Sequence, residues 1–317
     1  MVDEIGGQLA VIVVNYGSSA LLAANLLPFA ESLPEARVVV VDNRTTDEER
    51  ATVSALAARH GWALVAPDDN PGFGSGMNLG VARALADGAG YLLLLNPDAR
   101  IDAATARSLL DRAVGAPGDL HSPRIVTPAG ATWFAGADLH LGDGRLRRPG
   151  RPSPDGRVEP WLSGACLLLT RDLWEAVGGF DDDYFLYWED VDLSHRVLAV
   201  GGELRVWDEL EVVHDEGGTH EGERRGRAKS DIYYFHVIRN RHLFAAKHLS
   251  DADLAAWEAN RVRVAWEVLM QGGRRQVLTS PRVLLVAARA LAAGRRMARS
   301  LRPAPRRTAV PRLTREA

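Results

Sequence analysis

Short, wholly apolar runs punctuate the first hundred positions, at 10–14, 38–41, 63–66 and 91–95. Runs of this length without polar alternation predict strands buried on both faces. Helical spacing fills the gaps, at 20–32 and from Asp47 onward. Strands alternating with helices predict βαβ units around a mostly parallel sheet, an α/β fold. Ligands of such sheets gather beyond the carboxyl ends of the strands. Here those ends carry Asn15, Asp42 with Asn43, and Asn96 with Asp98.

The pattern loosens between 120 and 159, where glycine, proline and arginine become frequent. Short strands and a mobile loop near 141–156 are expected there. A strand is predicted over 161–170 and a helix over 171–177, ended by Gly178 and Gly179. A helix opens near Glu189 and stops at Gly201 and Gly202. Two strands follow at 204–207 and 210–213, with His214 at the end of the second. Helices are expected over 230–249, 253–271 and 281–300, and the proline- and arginine-rich tail 302–317 is expected to be disordered. No internal repeat is present. The chain is organised around 161–220, most tightly around 185–192.

With 46% hydrophobic residues, the 317-residue chain has enough apolar material for a full core. Its net charge of −3 conceals an asymmetry: twelve arginines and one acid, Glu316, follow Gln271. The single cysteine, Cys166, excludes an intrachain disulfide or a cysteine-based zinc site. Asp3 and Glu4 stand ahead of the first apolar run, unlike a secretory leader, and no run reaches membrane-spanning length. A cytoplasmic protein is expected. Nucleic acid is not an expected partner, because the basic tail carries no recognition motif and the body is acidic.

The densest chemistry is Phe185-Leu-Tyr-Trp-Glu-Asp-Val-Asp192. Glu189, Asp190 and Asp192 repel one another and are costly to bury unpaired. Behind Tyr187 and Trp188 they read either as acids at the lip of an apolar pocket, one serving as a base, or as a helix start with Glu189 or Asp190 as its cap. Arg196 stands at helical spacing from Asp192 and is expected to pair with it. The glycine-rich stretch 69–80 reads either as an anion cradle opening a helix or as a flexible turn; it matches neither the dinucleotide nor the Walker fingerprint. Asp98 suits a hard divalent cation or a turn, and His214 a metal ligand or a satisfied histidine.

Taken in order, Val11 to Tyr16, Val40-Val-Asp42-Asn43, Asn70-Pro-Gly-Phe-Gly74 with Asn78, Leu95-Asn-Pro-Asp98, Trp161-Leu-Ser-Gly-Ala, Gly178-Gly-Phe-Asp181, Phe185 to Asp192 and Val213-His214 form a specific set. The set resembles the inverting family 2 glycosyltransferases of the glycosyltransferase A fold, near the rhamnosyltransferases, over residues 9–248. The resemblance implies that Asp42 meets the nucleotide base beside Asn15 and Tyr16. It implies that Asn70, Gly72, Asn78 and Asn96 line the nucleotide-sugar site. Asp98 would stand as the last acid of the metal motif, from which this sequence departs in that Asn96 replaces the first acid, and His214 would complete a Mg2+ or Mn2+ site. Asp190 would be the catalytic base with Glu189 beside it, and Trp161 and Trp188 would face the acceptor, with the 141–156 loop over that side.

The expected organisation is a catalytic domain over 1–225, a helical extension over 226–300 and a basic tail over 301–317. The expected activity is transfer of a sugar, L-rhamnose by resemblance, from a nucleotide-diphosphate donor to a saccharide or polyprenyl-diphosphate-linked saccharide. Two alternatives stand beside it: a tailoring enzyme glycosylating a small molecule, and a non-catalytic sugar-nucleotide-binding scaffold. The arginine-rich helix near 281–300 reads either as a peripheral contact with an anionic membrane or as a helix docked on the catalytic domain.

Overall fold

The computed structural model describes residues 8–153, 155–215 and 228–302. His220 and the tail beyond Arg302 lie outside the described residues. The N-terminal half alternates as expected: β1 (Leu9–Asn15), a helical segment α1 (19–32) containing one π turn, β2 (Arg37–Asp42), α2 (Asp47–His60), β3 (Ala63–Val65), α3 (Phe73–Ala86) and β4 (Tyr91–Leu95). These four strands are mutually parallel in the order β3-β2-β1-β4. Successive side chains alternate between two apolar layers. Leu9, Val11 and Val13 pack under α1, whereas Ala10, Ile12 and Val14 pack under α3.

The chain continues through β5 (Ala99–Arg100), α4 (Ala103–Gly115), β6 (Leu120–Val126), β7 (Thr132–Phe134), β8 (Ala137–His140), β9 (Arg145–Arg147), β10 (Val158–Trp161), β11 (Cys166–Thr170), α5 (Arg171–Val177), α6 (Glu189–Ala199) and β12 (Leu204–His214). The large sheet extends as β4-β11-β6-β12-β5, with β7 on β6. β11 enters antiparallel to β4, so the sheet is mixed on this side. Strands β10, β8 and β9 make a separate antiparallel sheet. Cys166 is buried in the centre of the large sheet, and burial pushes its thiol up to about 12.

Several expectations are corrected. The strand predicted over 161–170 is two strands in different sheets, because residues 162–165 turn between them. The two strands predicted over 204–213 are one, β12, whose register against β6 shifts between Trp207 and Glu211. The glycine-rich stretch is helical from Phe73 onward: a Cβ on Gly80 would lie 2.5 Å from Ile12 Cγ2 and 2.8 Å from Val41 Cγ2. Its glycines let α3 settle onto the sheet rather than form a flexible turn. The hairpin at 141–147 is anchored, since the buried Arg241 guanidinium donates to the Asp143 and Gly144 carbonyls at 2.7 and 3.1 Å.

Five helices close the described chain: α7 (Asp231–His248), α8 (Asp251–Ala259), α9 (Arg261–Gln271), α10 (Arg274–Thr279) and α11 (Arg282–Leu301). The helix predicted over 253–271 breaks at Asn260, whose side chain bonds both Arg241 and the Asp143 carbonyl. α11 lays Val283, Ala287, Ala290, Gly294 and Ala298 against its neighbours, chiefly α7. No helix among the described residues is long and apolar enough to cross a membrane.

Gly80→Ala is expected to destabilise the protein by about 1–3 kcal/mol through overpacking. Gly115→Ala, with open space around the added methyl, is expected to stay within about 0.5 kcal/mol of the parent. Urea denaturation midpoints for the two variants check the contrast.

Candidate active site

The strand ends converge as the parallel topology requires. Asn15 and Asp42 sit side by side in register at the ends of β1 and β2. The Asn15 amide donates to Asp42 Oδ1 at 3.0 Å, and Arg50 donates to Asp42 Oδ2 at 2.9 Å. Asp42 is fully enclosed, with protein donors on both oxygens. A base at this strand end therefore meets Asp42 only where Asn15 or Arg50 yields. Tyr16 is 48% exposed beside it and offers an aromatic face.

Asn43 links this rim to the entry of α3. Its amide donates to Asn70 Oδ1 at 3.1 Å and to the Gly72 carbonyl at 2.8 Å, while Asn70 Oδ1 also accepts from the Gly72 N–H. Gly72 adopts φ 98° and lies against the backbone of Phe185, where a Cβ would come within 2.3 Å of the carbonyl oxygen. Only glycine fits both demands. Asn78 lies further along α3 and is used differently from expectation. Its amide exchanges hydrogen bonds with the backbone of Phe180 and reaches Asp182, stapling α3 to the loop before α6.

The Asn96-Pro97-Asp98 turn follows β4, and pairing of β5 with the end of β12 brings Asp98 to His214. Asp98 Oδ1 and His214 Nε2 are 3.1 Å apart, yet neither makes an aligned hydrogen bond. Asn96 Oδ1 is buried beside this turn without a partner. Unsatisfied oxygen and imidazole nitrogen donors so close suit a shared divalent cation. Among the described residues no three histidine, cysteine or carboxylate groups converge as a metal cluster. The candidate donors at this turn are Asp98 and His214, with Asn96 adjacent. Trp133 packs on the His214 ring at 4.6 Å, and Phe134 packs on Trp161 at 5.1 Å.

One turn ties this pair to the acidic helix. The Gly164 N–H donates to Asp190 Oδ2 at 3.1 Å, and the next residue, Ala165, accepts from the Asn96 N–H at 3.0 Å. Asp190 Oδ1 takes the Val191 N–H at 2.8 Å. Burial pushes the Asp190 carboxyl up, to about 6, against the pull of these N–H groups. Glu189 is enclosed, and burial followed by the adjacent Asp190 charge drives it well above the usual carboxylate range. Asp192 has the opposite fate. Burial raises it, but His248 at 2.6 Å and Arg196 at 2.7 Å outweigh that and hold it below its ordinary value. The expected Asp192–Arg196 pair therefore forms, inside the protein and with a histidine added.

Two assignments change. Neither Glu189 nor Asp190 caps α6: that place belongs to Trp188, held left-handed at φ 75°, and Glu189 is the first helical residue. Trp188 does not face an open acceptor side. It is 5% exposed and packs on Phe244 and Trp257, because its backbone turns the ring inward toward α7. Trp161 stays at the cleft edge, half-buried. Sequence reasoning missed Arg50, Trp133 and Asn240. The last had a signal: Arg239-Asn240-Arg241-His242 is a polar run inside an otherwise aromatic and apolar helix.

The Glycosyl transferase family 2 model matches residues 10–178 of this chain. A curated relative, N-acetylglucosaminyl-diphospho-decaprenol L-rhamnosyltransferase of Mycobacterium tuberculosis, is 32% identical over 237 residues, covering 65% of this chain and 75% of that protein. Among solved structures, a mannosyltransferase from Pyrobaculum calidifontis in complex with GDP-Man and Mn2+ aligns with a TM-score of 0.54 at 18% identity, over 93% of this chain and 84% of that one. The S. aureus TarS fragment 1–349 in complex with UDP aligns at 0.52 and 16% identity, over 93% and 91%. The structural likenesses show a shared glycosyltransferase A fold. The chain belongs to glycosyl transferase family 2 and is a glycosyltransferase of the rhamnosyltransferase-like kind.

Manganese titrated into the protein and followed by electron paramagnetic resonance is expected to show binding strengthened by a nucleoside diphosphate. Asp98→Ala and His214→Ala are each expected to weaken it by at least roughly tenfold. Unchanged binding in both would remove the turn from the metal site.

Proposed function

We propose that this glycosyltransferase moves L-rhamnose from a nucleotide-diphosphate donor to a hydroxyl of a polyprenyl-diphosphate-linked saccharide, with inversion. The observation that carries the reading is the turn at 163–165. Its consecutive residues clasp Asp190 and the Asn96–Asp98 turn, so a base and a cation site share one cleft. The sugar and the acceptor class are supported by the mycobacterial relative, whose name specifies both.

Asp190 is the general base. Its two N–H donors fix the carboxylate, and burial keeps it basic enough to take the proton of an acceptor hydroxyl. Burial and the Asp190 charge raise the Glu189 carboxyl beside it, which disfavours a second charge in the pocket. A Mg2+ or Mn2+ held by Asp98 and His214, with Asn96 adjacent, would neutralise charge developing on the leaving diphosphate. Asn15, Tyr16, Asn70 and Gly72 form the donor rim, with Asp42 supporting it from beneath. Trp161, with Trp133 and Phe134, walls the side from which the acceptor enters.

An acceptor in a bilayer calls for a membrane-facing surface, and α11 supports one. Opposite its docked face, Arg282, Leu285, Arg289, Ala292, Arg296 and Arg299 recur at spacings of three and four and form one exposed stripe. Arginines along such a stripe, with Leu285 67% exposed among them, suit an anionic lipid surface. The docked and membrane-facing readings of this helix are thus compatible, each using one face.

Asp190→Asn is expected to keep donor binding by calorimetry and to lose at least roughly a hundredfold in transfer of L-rhamnose from its deoxythymidine-diphosphate donor. Because the folded-state value of Asp190 lies above the ordinary carboxylate one, the working, deprotonated form is lost as pH falls through about 6. Turnover should therefore rise with pH across that value and level off above it. Near-normal turnover by Asp190→Asn, or no acid limb, would refute the base assignment. Co-flotation with phosphatidylglycerol-containing vesicles but not with phosphatidylcholine alone is expected, and should be lost on changing Arg289, Arg296 and Arg299 together to Glu.

A further inference from the structure

The segment that delivers Asp190 is the most constrained backbone in the described molecule. Tyr187 and Trp188 are its only non-glycine residues at positive φ among those described, at 65° and 75°. Two such residues in succession are a costly conformation for L side chains and persist only where the surroundings over-determine them. Trp188 packs on Phe244 and Trp257 and Tyr187 on Tyr233, and the backbone carbonyls ahead of the turn are held by one buried side chain from a helix about fifty positions away in sequence. The Asn240 amide nitrogen donates to the Leu186 carbonyl at 2.9 Å and to the Tyr187 carbonyl at 2.7 Å. The amide NH2 carries two donors and meets both carbonyls at once without bringing a charge into the core. Asn240 is fully enclosed, and its Oδ1 has no hydrogen-bond partner. A buried asparagine that leaves one polar atom unsatisfied is retained for what its other end does.

The same strap is tied on its donor side. The Phe185 carbonyl accepts the Phe73 N–H, the first residue of α3, at 2.9 Å. The order along the chain is then a bond to the donor helix at Phe185, two bonds to Asn240 at Leu186 and Tyr187, the left-handed turn, and Asp190 in the first turn of α6. We propose that Asn240 is a positioning residue for sugar transfer, fixing the left-handed turn at Tyr187 and Trp188 so that Asp190 stays in register with the donor side. The proposal rests on the assignment of Asp190 as the base. It gives the helical region beyond residue 228 a part in the chemistry without contact with substrate.

The test compares Asn240→Ala, Asn240→Gln and the double variant Asn240→Ala/Tyr187→Gly. The readouts are transfer from deoxythymidine-diphospho-L-rhamnose to an N-acetylglucosaminyl-diphospho-polyprenol, donor KM, the acid limb of the pH profile and amide hydrogen exchange. Asn240→Ala is expected to lower kcat by roughly ten- to hundredfold, the cost of a small misplacement, with donor KM within about threefold of the parent. Its acid limb should move below about 6 as Asp190 gains water. Tyr187→Gly in the same chain should recover part of kcat, because glycine accepts the turn unaided. If Asn240→Ala yields no folded protein, Asn240→Gln is expected to show the same split at smaller amplitude. Unchanged kcat and limb would overturn the proposal. So would a loss of kcat with an unmoved limb and no recovery from glycine, which marks simple structural support. If the parent chain fails to transfer this sugar, the substrate reading falls. Hydrogen exchange then decides separately: faster exchange confined to 186–192 in Asn240→Ala upholds the positioning role, and unchanged exchange ends it.

Discussion

The turn between β10 and β11 is the constraint on which the cleft depends. Its peptide groups face in two directions, offering an N–H to the Asp190 carboxylate and a carbonyl to the backbone of the Asn96–Asp98 turn. The turn must be there because β10 belongs to the small sheet and β11 to the large one. The chain has four residues in which to cross between them. Sheet architecture thus fixes the spacing of the chemical groups, and the side chains follow.

Three carboxylates within four positions show how completely environment decides role. Glu189 is enclosed with an unpartnered oxygen, and burial drives its carboxyl well above the usual carboxylate range. Asp190 receives two backbone N–H groups, from Gly164 and Val191. Asp192 points the other way, into a histidine and an arginine, and stays charged. The sequence-adjacent acids occupy three different electrostatic surroundings, and the neighbouring charges of Asp190 and Asp192 add to the burial that raises Glu189. α6 begins without a side-chain cap, and its acidic first turn lies where the helix dipole favours negative charge.

Much of the fold was legible from the chain because buried parallel strands leave unbroken apolar runs, and their polar end residues mark the cleft. The regions at 10–15, 37–42 and 91–98 carry that signal. Asp98 and His214 draw notice for the same reason, standing just past strand runs, whereas Asp190 draws notice as one of three acids behind an aromatic stretch. What was not legible depends on contacts across long separations. The break at Asn260 follows from bonds to the 141–147 hairpin, not from local propensity. Trp188 looked like a pocket wall because it precedes acids, but a positive φ turns it into the core. No local pattern foretells that angle, since the asparagine enforcing it lies in another helix. The 141–147 hairpin looked free because its glycines and arginines resemble a surface loop, and Arg241 holds it from beneath.

Cys166 sits at mid-sheet, opposite Leu95, with its thiol protonated well above any working pH. The native sequence therefore presents no reactive sulfur to solvent. A single cysteine introduced on the outer stripe of α11, or beside the cleft at Tyr16, would be the sole target for a maleimide dye or spin label. Whether α11 meets a lipid surface, and whether the surroundings of Tyr16 respond to a nucleotide sugar, thereby become separately observable in one molecule, with no need to remove a background thiol.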